Sequence, residues 1–251
     1  MKISEDLYLI GSGEIRLSNS LDSHVYLLTG KEGAIMIDAG SGLDTEEIMS
    51  NVIGQGLDPR EIKYLFLTHC HFDHAAGASD VRSRTSCQVI ASVEERSYIE
   101  HGSEKELALD VCKKTKLVSQ DFKYKHCRVD RSLGDKETLE FGAFKITSVV
   151  LPGHSYGVLC LLVEFGGRRV FFSSDAVFIG GTIGLGNWPG SSLQAYRESI
   201  WKLKGLNVDQ LFPGHYLWTL REGQEHLNRA MDNLSYGWIP PVWGHIHPVI
   251  F

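Results

Sequence analysis

Residues 68–74 read THCHFDH, which places three histidines and one aspartate within residues 69–74. This segment follows residues 64–67, a continuous apolar run that we predict to be a strand buried on both faces. On an extended chain His69 and His71 point the same way, whereas Asp73 and His74 on the following turn face a second point. The spacing therefore predicts two neighbouring metal ions beside the end of a strand, where functional loops usually lie.

Three further candidate ligands share one setting, because each follows a predicted strand at a point where the chain turns. They are His154 after Leu151-Pro152-Gly153, Asp175 after Ser173-Ser174, and His215 after Phe212-Pro213-Gly214. A glycine before a histidine lets the backbone bend sharply at that point. Imidazole and carboxylate donors together suit zinc, and iron or manganese is also chemically acceptable.

The rest of the pattern predicts short strands, with helices between some of them. The predicted strands are residues 7–10, 24–28, 34–37, 64–67, 144–150, 158–164, 168–173 and 210–212. The first three indicate antiparallel sheet, and Gly166-Gly167 predicts a hairpin turn. Helical spacing covers residues 44–52, 193–203 and 223–234.

We interpret the whole chain, residues 1–251, as a single domain with two added segments. Residues 92–128 are polar and helical in pattern, which predicts an inserted lid or flap; a solvated face that touches no substrate is the alternative. Residues 236–251 form an aromatic tail. Its His245 and His247 lack a nearby acid, so we expect the tail to pack on the domain or to form a homodimer rather than to bind metal.

Composition narrows the class of protein. The net charge of −6 and the pI near 6.0 argue against a surface built to hold nucleic acid. Five cysteines without a CxxC pair suit reduced thiols, and the N-terminus does not read as a signal peptide. No apolar run approaches the roughly 20 residues of a membrane helix. We therefore expect a cytoplasmic protein that acts on a small molecule and not at a membrane.

Together the THCHFDH segment, His154, Asp175 and His215 resemble the metallo-β-lactamase superfamily, of the type with a complete two-metal site. The resemblance covers about residues 7–234. It implies that one metal is held by His69, His71 and His154, the second by Asp73, His74 and His215, and that Asp175 bridges the two. Asp38 matches a position close beneath the metal loop, where we expect it to orient a histidine or cap the loop; a helix cap is the alternative.

The same resemblance implies an α+β fold, the αββα sandwich. In that fold two mixed β-sheets pack face to face with helices on the outer faces. The helical insertion would then lie between the HxHxDH loop and the second half of the chain.

The chemistry that this ligand set favours is hydrolysis. Two cations about 3.5–4 Å apart lower the pKa of a shared water enough to supply hydroxide near neutral pH. We therefore predict a binuclear hydrolase, with two zinc ions, that acts on an ester, lactone, thioester or amide. The expected catalytic carboxylates are Asp175, between the ions, and Asp73, which would return a proton to the leaving group. The alternatives are a phosphodiesterase or nuclease, an iron-dependent sulfur dioxygenase, and a non-catalytic metal-binding domain.

Candidates for substrate contact are the aromatic residues near the ligands, namely Tyr156, Trp188 and Tyr216. Aromatic packing in the core is the alternative for each. Phe178 stands where lactone-hydrolysing relatives commonly carry a tyrosine, which disfavours a lactone. Cys70 lies between two ligands, and we interpret it as a packed small residue and not as a nucleophile.

Overall fold

The structure, a computed structural model, describes residues 1–238 and 240–242. The chain divides into two compact units, Met1–Leu133 and Gly134–Phe251. The expected aromatic tail, residues 236–251, lies mostly outside the described residues. Within the described part of the chain, no helix is long and apolar enough to cross a membrane.

The first unit is built on a mixed sheet whose strands follow one another in chain order. They are β1 (Leu7–Gly11), β2 (Val25–Gly30), β3 (Gly33–Ile37), β4 (Ile62–Phe66), β5 (Gln88–Ser92) and β6 (Arg131–Leu133). The pairs β1–β2 and β2–β3 are antiparallel, as the sequence predicts, and the strands from β3 to β6 are parallel. The carboxyl ends of the parallel strands meet at one edge of the sheet. The THCHFDH segment begins at this edge, directly after Leu67.

Helices connect these strands. They are α1 (Thr45–Gly54), α2 (Phe72–Ala75), α3 (Ala78–Thr85), α4 (Arg96–His101) and α5 (Leu109–Lys114). The first begins where the sequence predicts because the Asp44 side chain accepts a hydrogen bond from the Glu47 N–H, at 3.1 Å. Its apolar face buries Ile48, Met49 and Val52.

The segment 92–128 holds two short helices, α4 and α5, followed by an irregular stretch. Its apolar positions are buried in the core of the first unit, including Ile99, Leu107 and Leu109. Glu95 is fully buried although its sequence neighbours are polar. The segment therefore packs on the rest of the first unit through these apolar side chains, although most of its residues are polar.

The second unit contains a second mixed sheet. Its strands are β7 (Thr138–Phe141), β8 (Phe144–Leu151), β9 (Val158–Phe165), β10 (Arg168–Ser174) and β11 (Gln210–Pro213). Their order is β11-β10-β9-β8-β7, antiparallel except for the parallel pair β10–β11. Gly166 and Gly167 close the β9–β10 hairpin with φ of +55° and +72°, a left-handed conformation that a two-residue turn of this kind requires.

Two helices cover part of this sheet: α6 (Leu193–Ser199), which continues into a 3-10 turn at Ile200–Leu203, and α7 (Gly223–Ser235). The core beneath them joins strand residues such as Leu162 and Phe171 to the helix residues Tyr196 and Leu227. This core includes residues of β8, β10 and β11, and each of these strands ends just before one of the predicted ligands.

Candidate metal centre

In the first unit three predicted ligands are buried imidazoles. His69 and His74 have no exposed surface and His71 is 4% exposed, whereas the Asp73 side chain is 22% exposed. His69 and His71 lie on the loop after β4, and Asp73 and His74 lie in α2. The strand end and the short helix therefore bring all four side chains to one place.

These donors approach one another closely. Nε2 of His69 lies 3.0 Å from Nδ1 of His71, and the ring centroids of His69 and His74 are 4.1 Å apart. Nε2 of His74 lies 3.6 Å from a carboxylate oxygen of Asp73. Two nitrogens bound to one tetrahedral zinc would lie about 3.3 Å apart, given Zn–N bonds of about 2.0–2.1 Å. The donor set of the first unit therefore fits zinc both in chemistry and in spacing.

Asp38 lies beneath this loop and fixes its orientation. Its carboxylate accepts hydrogen bonds from the Thr68 N–H at 2.8 Å and from the Thr68 hydroxyl at 2.9 Å. It also lies 2.8 Å from Nδ1 of His74. A carboxylate accepts, so Nδ1 of a neutral His74 carries the proton and Nε2 carries the lone pair.

Thr68 fixes the tautomer of His69 in a similar way. The Thr68 hydroxyl donates to Asp38 and lies 3.1 Å from Nδ1 of His69. The hydroxyl oxygen therefore accepts from Nδ1 of His69, and Nε2 of that ring becomes the donor for a metal.

A second buried carboxylate, Glu95, contacts the main chain of the loop that carries His69 and His71. The sequence alone did not indicate this role. Its side chain accepts a hydrogen bond from the Cys70 N–H at 3.0 Å. The Cys70 side chain is fully buried, with its sulfur 3.6 Å from the Glu106 carbonyl oxygen. Burial first, and then the nearby Glu95 carboxylate, raise the pKa of the Cys70 thiol well above its usual range. A neutral buried thiol is a packed side chain and a poor nucleophile.

In the second unit, three strand ends bring the other predicted ligands together. His154 follows β8, Asp175 follows β10 and His215 follows β11, and all three are buried. One carboxylate oxygen of Asp175 lies 3.5 Å from Nε2 of His154 and 3.6 Å from Nε2 of His215. Nδ1 of His154 donates to the Gly184 carbonyl oxygen at 2.5 Å, so its Nε2 carries the lone pair. The second unit thus also presents donors suited to zinc.

The three aromatic candidates for substrate contact all lie in the second unit. The Trp188 ring is 5.3 Å from the His154 ring, and its N–H donates to the His154 carbonyl oxygen at 2.8 Å. Tyr156 is half-buried against Gly190. Tyr216 has a φ of +63° and lies 6.1 Å from Phe178 between ring centroids. A bulky residue in the left-handed region is strained, and such strain is common at functional sites.

Comparison with known proteins places this arrangement in a family. Residues 19–215 match the model of the metallo-beta-lactamase superfamily. A probable metallo-hydrolase of Methanocaldococcus jannaschii is 25% identical over 199 residues, which cover 77% of this chain and 87% of that protein. An acyl-coenzyme A thioesterase of Gallus gallus is 27% identical over 229 residues, which cover 84% of this chain and 77% of the relative.

A solved structure gives the same fold. A subclass B3 metallo-beta-lactamase of Bradyrhizobium japonicum superimposes with a TM-score of 0.71 at 21% identity, over 94% of this chain and 90% of that one. This similarity confirms the predicted fold class, and the named hydrolases among the relatives support an enzyme. The chain therefore belongs to the metallo-beta-lactamase superfamily and is, in general terms, a metal-dependent hydrolase.

Proposed function

We propose that the two groups of donors form one centre for two zinc ions. One ion would be held by His69, His71 and His154, the other by Asp73, His74 and His215, with Asp175 between them. The proposal rests on family membership and on the donors that each unit contains. Seven imidazole and carboxylate side chains are sufficient to complete two zinc sites.

The observation that carries this proposal is the orientation of the imidazoles. The Asp38 carboxylate engages Nδ1 of His74, and the Gly184 carbonyl engages Nδ1 of His154. Partners of this kind on the far ring nitrogen are typical of histidines that bind metals, because they fix the tautomer and increase the basicity of the other nitrogen. The pattern occurs in both units, and in each it leaves Nε2 as the nitrogen that carries the lone pair.

Each group of this centre would have its own role in hydrolysis. When bound, the zinc pair would supply a hydroxide nucleophile near neutral pH and polarise the scissile carbonyl. The partly exposed Asp73 would take up a proton and return it to the leaving group. Asp175 would add a carboxylate oxygen to the same donor set, 3.5 Å from Nε2 of His154 and 3.6 Å from Nε2 of His215. The buried, neutral thiol of Cys70 leaves the protein without a nucleophile at that position.

Among esters, lactones, thioesters and amides, we propose a thioester with an apolar acyl group as the preferred small-molecule substrate. The loop after His215 exposes apolar side chains, with Leu217 71% and Leu220 50% exposed. Contiguous exposed apolar surface can mark a ligand-binding groove, and these side chains lie within five residues of the ligand His215. The relative from Gallus gallus, named an acyl-coenzyme A thioesterase, supports the same substrate class.

The test combines metal quantification with a substrate panel. We expect about two equivalents of zinc by elemental mass spectrometry. We also expect hydrolysis of acyl thioesters that is lost on chelation and restored by zinc. The panel also includes chromogenic esters, lactones and a bis-aryl phosphate, and Asp175→Ala serves as the inactive control. A single equivalent of iron, faster cleavage of the phosphodiester, or equal activity after chelation would each contradict the proposal.

A further inference from the structure

A glycine-rich loop in the second unit, residues 184–192, wraps around His154. The Gly184 carbonyl accepts from Nδ1 of His154 at 2.5 Å. Four residues later, the Trp188 indole N–H donates to the backbone carbonyl of the same histidine at 2.8 Å. One loop therefore contacts both the side chain and the main chain of His154.

Gly184 has no room for a side chain. A Cβ at this position would lie 2.2 Å from the Asp175 carbonyl oxygen and 2.7 Å from Nδ1 of His154. Its φ is not positive, so the backbone conformation alone would accept any residue. The glycine is therefore required by the close approach of two ligand-bearing segments and not by a turn.

The Trp188 side chain is also packed closely against its neighbours. Its ring lies edge-on to the His154 ring, with an interplanar angle of 69°. The ring also lies against Gly186, where a Cβ would lie 2.0 Å from the indole. Its N–H is engaged by the His154 carbonyl, which gives this indole a structural partner in addition to any substrate.

Hydrogen bonds also tie the loop to the turn that carries His154. The Gly186 N–H donates to the Ser191 hydroxyl at 3.0 Å, and that hydroxyl donates to the Gly153 carbonyl at 3.3 Å. The Ser192 N–H donates to the same Gly153 carbonyl at 2.8 Å. Both ends of the loop are thus attached to Gly153-His154.

We propose that this loop is a clamp that positions His154 for metal binding, with Gly184 and Trp188 as its positioning residues. The clamp keeps the proton on Nδ1 and directs Nε2 toward Asp175, 3.5 Å away. This inference rests on the proposed metal centre, because it assigns the clamp to one of its ligands. Loss of a partner behind a metal-binding histidine typically weakens metal affinity by about 10–100-fold.

Two variants test the clamp. Trp188→Phe keeps an aromatic ring over Gly186 but removes the N–H donor, and we expect its zinc affinity to fall about 10-fold. Gly184→Ala forces the two segments apart, and we expect a fall of about 10–100-fold. Affinity is measured by competition with a chromophoric chelator. The visible absorption spectrum of the cobalt-substituted protein reports the ligand geometry independently of activity.

Matched controls separate positioning from general damage. Trp201→Phe changes a half-exposed tryptophan, and Gly54→Ala fills a position where, apart from its chain neighbours and its own helix backbone, no heavy atom lies within 4 Å of the new Cβ. Both should bind zinc as the wild type does. If Gly184→Ala fails to fold, Trp188→Phe decides alone. Wild-type affinity and an unchanged cobalt spectrum in Trp188→Phe would overturn the clamp while leaving the metal centre intact. A wild-type protein that binds no metal would overturn both.

Discussion

At the scale of single residues, the two units hold their histidines by different means. A charged carboxylate, Asp38, accepts from His74, whereas a neutral peptide carbonyl accepts from His154. Hydrogen bonds to an ionised acceptor are roughly twice as strong as neutral ones. Asp38 also holds the main chain of Thr68, so its removal affects the loop and the ring together.

We expect Asp38→Asn to lower zinc affinity by about 10–100-fold. Asparagine tolerates the φ of +61° at this position, yet it has one acceptor oxygen where aspartate has two. It therefore cannot accept from Thr68 and His74 in the wild-type manner. Chelator competition measures the affinity, and Asp44→Asn is the control because asparagine caps a helix as well as aspartate. Full zinc affinity in Asp38→Asn would show that Asp38 does not orient a ligand.

The five thiols of the protein are expected to react slowly in the folded state. Burial raises the pKa of all five cysteines, and it raises the pKa of the partly buried Cys112 to about 12. At pH 8 a thiol with such a pKa is only about 0.01% thiolate, which is the reactive form. We expect the native protein to react at least about 100-fold more slowly with a disulfide reagent than the urea-unfolded protein. Rapid labelling of Cys70 in the native state, detected by peptide mass spectrometry, would contradict this.

At the scale of elements, the sequence predicts well wherever one strong pattern decides the structure. The run Val158–Phe165 and the capped helix Thr45–Gly54 are examples, because hydrophobic burial and an aspartate cap act locally. The helix Ala78–Thr85 was not predicted, since its sequence ASDVRSRT carries too few apolar residues to show helical periodicity. Its formation depends on packing against the sheet, which local sequence does not record.

Some residues of the site could also be predicted from the sequence, and others could not. The seven candidate ligands are side chains with metal-binding chemistry, so their spacing could be recognised in the sequence. The partner of His154 is the backbone carbonyl of Gly184, 30 residues away, and a backbone carbonyl has no sequence signature. Glu95 could not be predicted for another reason. Its sequence neighbours are polar, and its burial depends on the tertiary packing of segment 92–128.

A serine hydroxyl caps the N-terminus of α6. The Ser192 hydroxyl accepts from the Ala195 N–H at 3.1 Å, and Ser192 also ends the proposed clamp loop. We expect Ser192→Ala to lower the free energy of unfolding by about 1 kcal/mol, as measured by urea denaturation. Ser50→Ala, in the exposed interior of α1, is the matched control and should leave stability unchanged or slightly higher. Equal stability of the two variants would show that the hydroxyl does not cap the helix.

At the scale of the whole molecule, the proposed centre links metal binding to stability. The first unit supplies four candidate ligands and the second unit three, and the unfolded chain holds none of them in place. A metal that binds only the folded state stabilises it by RT ln(1 + [L]/Kd), about 2.7 kcal/mol at a free concentration 100 times Kd. Stability should therefore depend on free zinc.

We expect the melting temperature of the metal-free protein to rise steadily with buffered free zinc above its dissociation constant, as followed by differential scanning calorimetry. His154→Ala removes one of three imidazoles proposed for the first ion, so most of the rise assigned to that ion should disappear. His101→Ala, an exposed histidine at the end of α4, should keep the full rise. A zinc-dependent rise of equal size in both variants would mean that the stabilising metal is bound elsewhere, because a ligand can stabilise the fold only through the contacts it makes in the folded state.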